Sequence, residues 1–113
     1  MDNIRWKVTD PLGNEIHLTE ENFFNNSGQP QLEPQLKFIV KHPRFVIKHK
    51  IGDGRRSYLD LVDLIQGDAV TIRAVEIVVD GGKIVTWFVR RTINDVLDKG
   101  DVIYDERNND LQV

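Results

Sequence analysis

Apolar residues run almost unbroken through two β-type arms between Ala69 and Thr92, AVTIRAVEIVVDGGKIVTWFVRRT, separated by the polar Asp80-Gly81-Gly82-Lys83. Val, Ile, Thr, Trp and Phe fit a pleated, half-buried surface. Gly-Gly suits a two-residue turn in which both central positions take positive φ. The stretch predicts a β-hairpin at the centre of an antiparallel sheet. With Gly81 and Gly82 as the loop, Asp80 faces Lys83, and the register runs through Val79/Ile84, Ile77/Thr86 and Val75/Phe88 to Arg73/Arg90. The opposite side carries Val78/Val85, Glu76/Trp87, Ala74/Val89 and Ile72/Arg91. Both sides are largely apolar, as in strands that lie inside a sheet.

Shorter patterns flank this hairpin. Ile4, Trp6 and Val8 alternate with Arg5, Lys7 and Thr9, which predicts a half-buried strand. Asp10-Pro11-Leu12-Gly13-Asn14 has turn chemistry, and Glu15 to Thr19 returns as a second strand. Thr19 is placed to cap a short helix from Glu20 to about Asn25, with Glu20 and Glu21 favourable to its dipole. Residues 25–30 read as a loop, the most prone to disorder after the termini. Leu32, Leu36, Ile39 and Val40 have helical spacing within 31–42, and Pro43 stops that helix.

Alternation then predicts strands over 44–51 and 56–65, with Gly52-Asp53-Gly54 turning between them. Ile93, Val96 and Leu97 suit one helical turn, Val102 to Tyr104 a last extended segment, and 105–113 is expected to fray. These elements predict one α+β domain over 1–113. Its parts are an N-terminal hairpin (1–19), a helical segment (20–42) and an antiparallel sheet (44–104) of about four strands centred on 69–92. The hairpin and two short helices pack on that sheet.

Charge changes the picture in one place. The net charge is −3, but residues 1–34 carry −4, residues 57–113 carry −5, and residues 35–56 carry +6. That central block holds Lys37, Lys41, Arg44, Lys48, Lys50, Arg55 and Arg56, with Phe38, Phe45 and Tyr58 near them. Cations on phosphates and aromatics on bases are the means of nucleic-acid binding. A solvated cationic face paired to flanking acids is the plainer reading of the same residues. The absence of cysteine excludes disulfides, thiolate metal sites and a cysteine nucleophile. No apolar run is long enough to span a membrane, and the N-terminus lacks the pattern of a signal peptide. The expectation is a cytoplasmic chain with no membrane partner.

Candidate chemistry is sparse. His17, His42 and His49 are too scattered for a helix-borne metal motif, so neither a metal site nor a cofactor is expected. His49, near Arg55 and Arg56, is the best candidate for a general base. In the hairpin register, Arg73 and Arg90 lie opposite each other on one face, with Glu76 on the other. Two guanidiniums so placed are expected to recruit an oxyanion, the plainer alternatives being splaying into water or pairing with an internal carboxylate such as Asp60.

A helix ending in Lys-His-Pro, a polar strand with a Gly-rich turn and Arg55-Arg56-Ser57-Tyr58, AVEIVVDGGKIVTWFVRR, and a closing Lys-Gly-Asp-Val-Ile-Tyr follow one another over roughly residues 30–105. This order resembles the small barnase/EndoU/colicin/RelE-like nuclease superfamily, in its phage- and cyanobacterium-associated members. The resemblance implies N-terminal helices packed on a four-stranded antiparallel sheet, and RNA cleavage without a metal. By position it matches Arg55 or Arg56 to the family's strand arginine, Thr86 to the polar residue of the IVT strand and, more loosely, Arg90. The chain departs from the family in having Phe23-Phe24-Asn25-Asn26 where a helix histidine belongs, and in its acidic charge.

Two functions follow as expectations. The first is a non-catalytic module that binds RNA, an acidic protein or another anionic partner through the basic segment 37–56, with Lys48, Lys50, Arg56, Arg73 and Arg90 in contact. The second is a metal-independent ribonuclease, a toxin in the family's manner, with His49 and Tyr58 moving protons beside Arg55 and Thr86. The short strand at 4–9 has the look of a sheet edge, which leaves a homodimer evenly balanced against a monomer.

Overall fold

The computed structural model describes residues 3–26, 30–51 and 54–107. The chain runs β1 (Ile4–Thr9), β2 (Glu15–Thr19), α1 (Glu20–Asn25), α2 (Glu33–Lys41), β3 (Phe45–His49), β4 (Arg55–Gln66), β5 (Ala69–Asp80), β6 (Lys83–Arg90), α3 (Asn94–Leu97) and β7 (Gly100–Asp105). Among the described residues, no helix is long and apolar enough to cross a membrane. The predicted loop at 25–30, the turn at 52–54 and the tail at 105–113 lie in part outside the described residues.

The elements form where the pattern places them, but they assemble differently. All seven strands join one sheet in the order β1-β2-β6-β5-β4-β3-β7. The expectation of four antiparallel strands, with the N-terminal hairpin and two helices packed on them, is therefore wrong. The N-terminal hairpin is not a separate layer. It enters the sheet through a parallel bridge, His17 to Lys83, and the His17 N–H donates to the Gly82 carbonyl at 2.8 Å. At the other side β7 pairs antiparallel with β3 and becomes the second edge. The helices also divide between the two faces, where one-sided packing was expected.

Strand alternation assigns the faces. Val75, Ile77 and Val79 of β5, with Val46, Tyr58, Ile84 and Trp87, form the main core against Phe23 of α1 and Leu36, Ile39 and Val40 of α2. Ile47 and Leu59 point the other way and pack on Val96 of α3. Thr19 caps α1 as its sequence implies, its hydroxyl accepting from the Asn22 N–H at 3.1 Å. The side chains of Asn22 and Asn26 donate to the Ile84 and Val85 carbonyls at 2.8 and 3.1 Å. They satisfy a stretch of β6 whose outer edge, beyond the bridge at Lys83, has no neighbouring strand.

The hairpin register differs from the predicted one beyond its second pair. Asp80 faces Lys83 and Val79 faces Ile84, but Val78 faces Thr86. Val85 is the extra residue of a β-bulge, and a one-residue slip turns every later side chain to the other face. Arg90 therefore lies opposite Ala74, not Arg73. It shares a face with Glu76, which the predicted register had placed out of its reach. The expected Arg73/Arg90 anion site does not form.

Candidate anion-binding site

The same alternation splits the basic block. Lys48 and Arg56 are direct cross-strand partners on β3 and β4, on the face that also carries Tyr58, Val79 and Ile84. His49 lies on the opposite face with Ser57. Arg44 is held by Asp60 at 3.3 Å and Arg55 by Asp80 at 3.5 Å. Lys37 lies over the Trp6 ring at 5.6 Å, and Lys50 is exposed.

Lys48 and Arg56 line a cleft of about 440 Å³. Its other walls are Asn14 and Glu15 from the β1–β2 turn, Gly81 and Gly82 from the β5–β6 turn, Gly54, and a floor of Ile16, Tyr58 and Val79. The cleft exists because the N-terminal hairpin docks beside β6. Gly82 has φ of +85°, and a Cβ there would lie 2.9 Å from the Glu15 carbonyl oxygen, so the two turns can meet only with glycine at this position. Among the described residues neither Lys48 nor Arg56 is paired with a carboxylate. The Glu15 carboxylate is 3.9 Å from Lys7. Like charges directly opposite each other across a strand pair are unfavourable, and an anion between them removes the penalty.

Tyr58 fastens this cleft. Its ring is fully buried, and its hydroxyl donates to Asp10. The buried Asp10 carboxylate also accepts from the Leu12 N–H at 3.0 Å, the Asn14 N–H at 2.7 Å and the Asn14 side chain at 3.3 Å. Burial, then the hydrogen bond to Asp10 and the charge of Asp10, push the Tyr58 hydroxyl well above its ordinary range, against a smaller opposing effect of Arg56. Tyr58 is thus held neutral, as a link between β4 and the turn that carries Asn14. Tyr58→Phe should cost about 1–2 kcal/mol, the loss of a hydrogen bond to a buried carboxylate that keeps its other donors. Thermal unfolding of the variant checks this.

The remaining candidates are dispersed. His49 Nε2 is 2.7 Å from Ser57 Oγ, and that hydroxyl donates to Glu76 Oε2 at 2.7 Å. With its proton committed to Glu76, the fully buried Ser57 accepts from His49, the reverse of what a serine nucleophile requires. The Glu76 carboxylate also takes Lys99 Nζ at 2.8 Å and Arg90 Nε at 3.1 Å. Burial is the largest influence on Glu76 and acts to raise its pKa. Lys99, Ser57 and Arg90 together outweigh it, so the carboxyl lies below its usual range. His49 is lowered by burial first and by the Lys99 charge second. Thr86 donates to the Asn26 side chain at 2.8 Å beside the bulge, and Arg73 donates to its neighbour's carbonyl, Ile72, at 3.0 Å. His49 and Tyr58, proposed as proton carriers of one reaction, point to opposite faces of the sheet.

Sequence reasoning missed Asn14 and Lys99, gave Gly82 only a place in the hairpin loop, and set Glu76 on the face away from Arg90. Asn14 and Gly82 are brought to one cleft by a single parallel bridge, His17 to Lys83, between remote hairpins, which leaves no periodic trace. Glu76 was visible as a lone acid inside an apolar strand, and such a residue calls for a partner. No protein-family model, curated protein or solved structure matches the chain.

Proposed function

We propose that this protein is a binding module for a compact anionic ligand, held by Lys48 and Arg56 in the cleft between the two β-turns. The observation that carries this reading is the directly opposed pair of cations on one wall of a concave site, with no acid between them. The cleft's size is that of a small-molecule site, and its apolar floor under a charged wall suits a ligand with both a phosphate and a flat apolar part, such as a nucleotide. The dispersal of the other cations and the acidic remainder of the chain argue against a long polyanion as the natural partner.

Calorimetric titration with pyrophosphate, a nucleoside monophosphate and a single-stranded RNA tests the proposal. The first two should bind, and Lys48→Ala or Arg56→Ala should each weaken them by roughly 10-fold or more, the worth of one charge-assisted hydrogen bond. Absence of heat and of thermal stabilisation with all three ligands would sink the reading. Cleavage of total RNA in the presence of a chelator, abolished by His49→Ala, would replace it with the ribonuclease.

A further inference from the structure

One row of side chains crosses the sheet on the face that holds the cleft. Lys48 of β3 has two direct cross-strand partners, Arg56 on β4 and Asp101 on β7. Arg56 in turn faces Val79 of β5, and Val79 faces Ile84 of β6. Directly opposed residues share one face and have Cβ atoms about 5 Å apart. The row therefore reads carboxylate, ammonium, guanidinium and then two aliphatic side chains. Lys48, Arg56 and Val79 line the cleft, and Asp101 stands just beyond it, exposed, on the edge strand. Opposite charges directly across a strand pair attract. Yet among the described residues Asp101 has no cation within ion-pair distance and Lys48 no carboxylate. Lys48 serves the cleft, and the Asp101 carboxylate is left open to a ligand.

We infer that the ligand of this cleft is a phosphate ester that also carries an amine, with its phosphate on Lys48 and Arg56 and its ammonium on Asp101. The inference rests on the proposed anion site and adds its specificity. A bare polyanion gains from the two cations but meets a carboxylate one strand away. An ammonium two carbons from the ester oxygen turns that repulsion into a further ion pair, over about the 4.8 Å that separates adjacent strands. The apolar part of the ligand then lies at the opposite end of the row, over Val79.

Calorimetric titration with O-phosphoethanolamine and with propyl phosphate, the same ester with a methyl group in place of the ammonium, tests this. The amine should bind about threefold tighter, the worth of one exposed ion pair. Asp101→Asn, with an unchanged circular dichroism spectrum, should cancel that preference and raise the affinity for pyrophosphate, which a loss of structure would lower. Sedimentation with phosphatidylethanolamine vesicles separates the two sources of such a group. A free ester as the natural ligand leaves the protein in the supernatant, whereas a lipid headgroup pellets the parent protein and not Asp101→Asn. Equal affinity for the two esters, or a preference that survives Asp101→Asn, overturns the inference and leaves the anion site standing. Failure of pyrophosphate and both esters to bind overturns the anion site as well.

Discussion

Gly100→Ala should lower the thermal midpoint by roughly 10–15 °C, more than the same change at any other glycine among the described residues. Gly100 opens β7 opposite His49, and its backbone conformation is one that any residue adopts. What it lacks is room. A Cβ there would run into the Lys48 carbonyl, 2.6 Å from its carbon and 2.9 Å from the His49 Cα. Both are main-chain atoms of a paired strand, so no side-chain rotation can relieve the overlap. β7 has to move away from β3, drawing Lys99 from Glu76 with it. The cost is about 3 kcal/mol, at about 4 °C per kcal/mol for a chain of this size. Differential scanning calorimetry reads it; a midpoint within two degrees of the parent would show that β7 is not seated as described.

Glu76→Ala should cost about 2–4 kcal/mol and alter the acid limb of the stability curve. Removing one member of a buried ion pair costs about 3–5 kcal/mol where the survivors stay buried. Lys99 and Arg90 are each 35% exposed and can turn to water, which lowers the figure, but the buried Ser57 hydroxyl cannot. The folded carboxyl lies below its ordinary 4.5, so its contribution is whole above that pH and is lost as pH falls through the folded value. His49 is also lowered, from 6.5, so charging it opposes folding, and stability begins to fall as pH drops below 6.5. The parent should therefore lose stability in two acid steps, with Glu76→Ala lacking the lower one and His49→Gln the upper. Chemical denaturation at a series of pH values separates them. An unchanged lower step in Glu76→Ala would assign it to other carboxylates. Arg90, expected from the sequence to hold an anion, is bonded to Glu76 instead, so Arg90→Ala should lower stability.

Individual elements were legible in the sequence because each has a local cause. The alternation of Ile4, Trp6 and Val8 made β1, Thr19 capped α1, and Gly81-Gly82 set the turn and the first two pairs of the central hairpin. The bulge at Val85 was not legible, for a physical reason. IVTWFV is apolar on both sides, so burying either set satisfies the pattern and a one-residue slip leaves no exposed mismatch to betray it. The sheet order was hidden for another reason, since one parallel bridge between His17 and Lys83 joins hairpins more than 60 residues apart. Of the candidate site, Lys48 and Arg56 could be named because they belong to the basic segment and Tyr58 because it lies just beyond it, but their shared face depends on the β3–β4 register. Neighbours in the chain such as Lys48 and His49 looked like one cluster and lie on opposite sides of the sheet.

The bulge gives β6 the property of a shifted reading frame. Before Val85 the strand is in one phase with β5, after it in the other, and both phases carry matter that cannot be exchanged: Ile84 and Trp87 on the core side, Arg90 with the buried acid. Pairing the strand without the bulge would bring Arg73 and Arg90 face to face, while turning Trp87 out and stripping Glu76 of a cation, whereas deleting Val85 would close the bulge and leave every later pair in place. A residue inserted beyond Val85 would turn the residues that follow it to the wrong face. Over this strand single-residue insertions should be far less tolerated than substitutions, while deletion of Val85 should be tolerated because it moves no other pair.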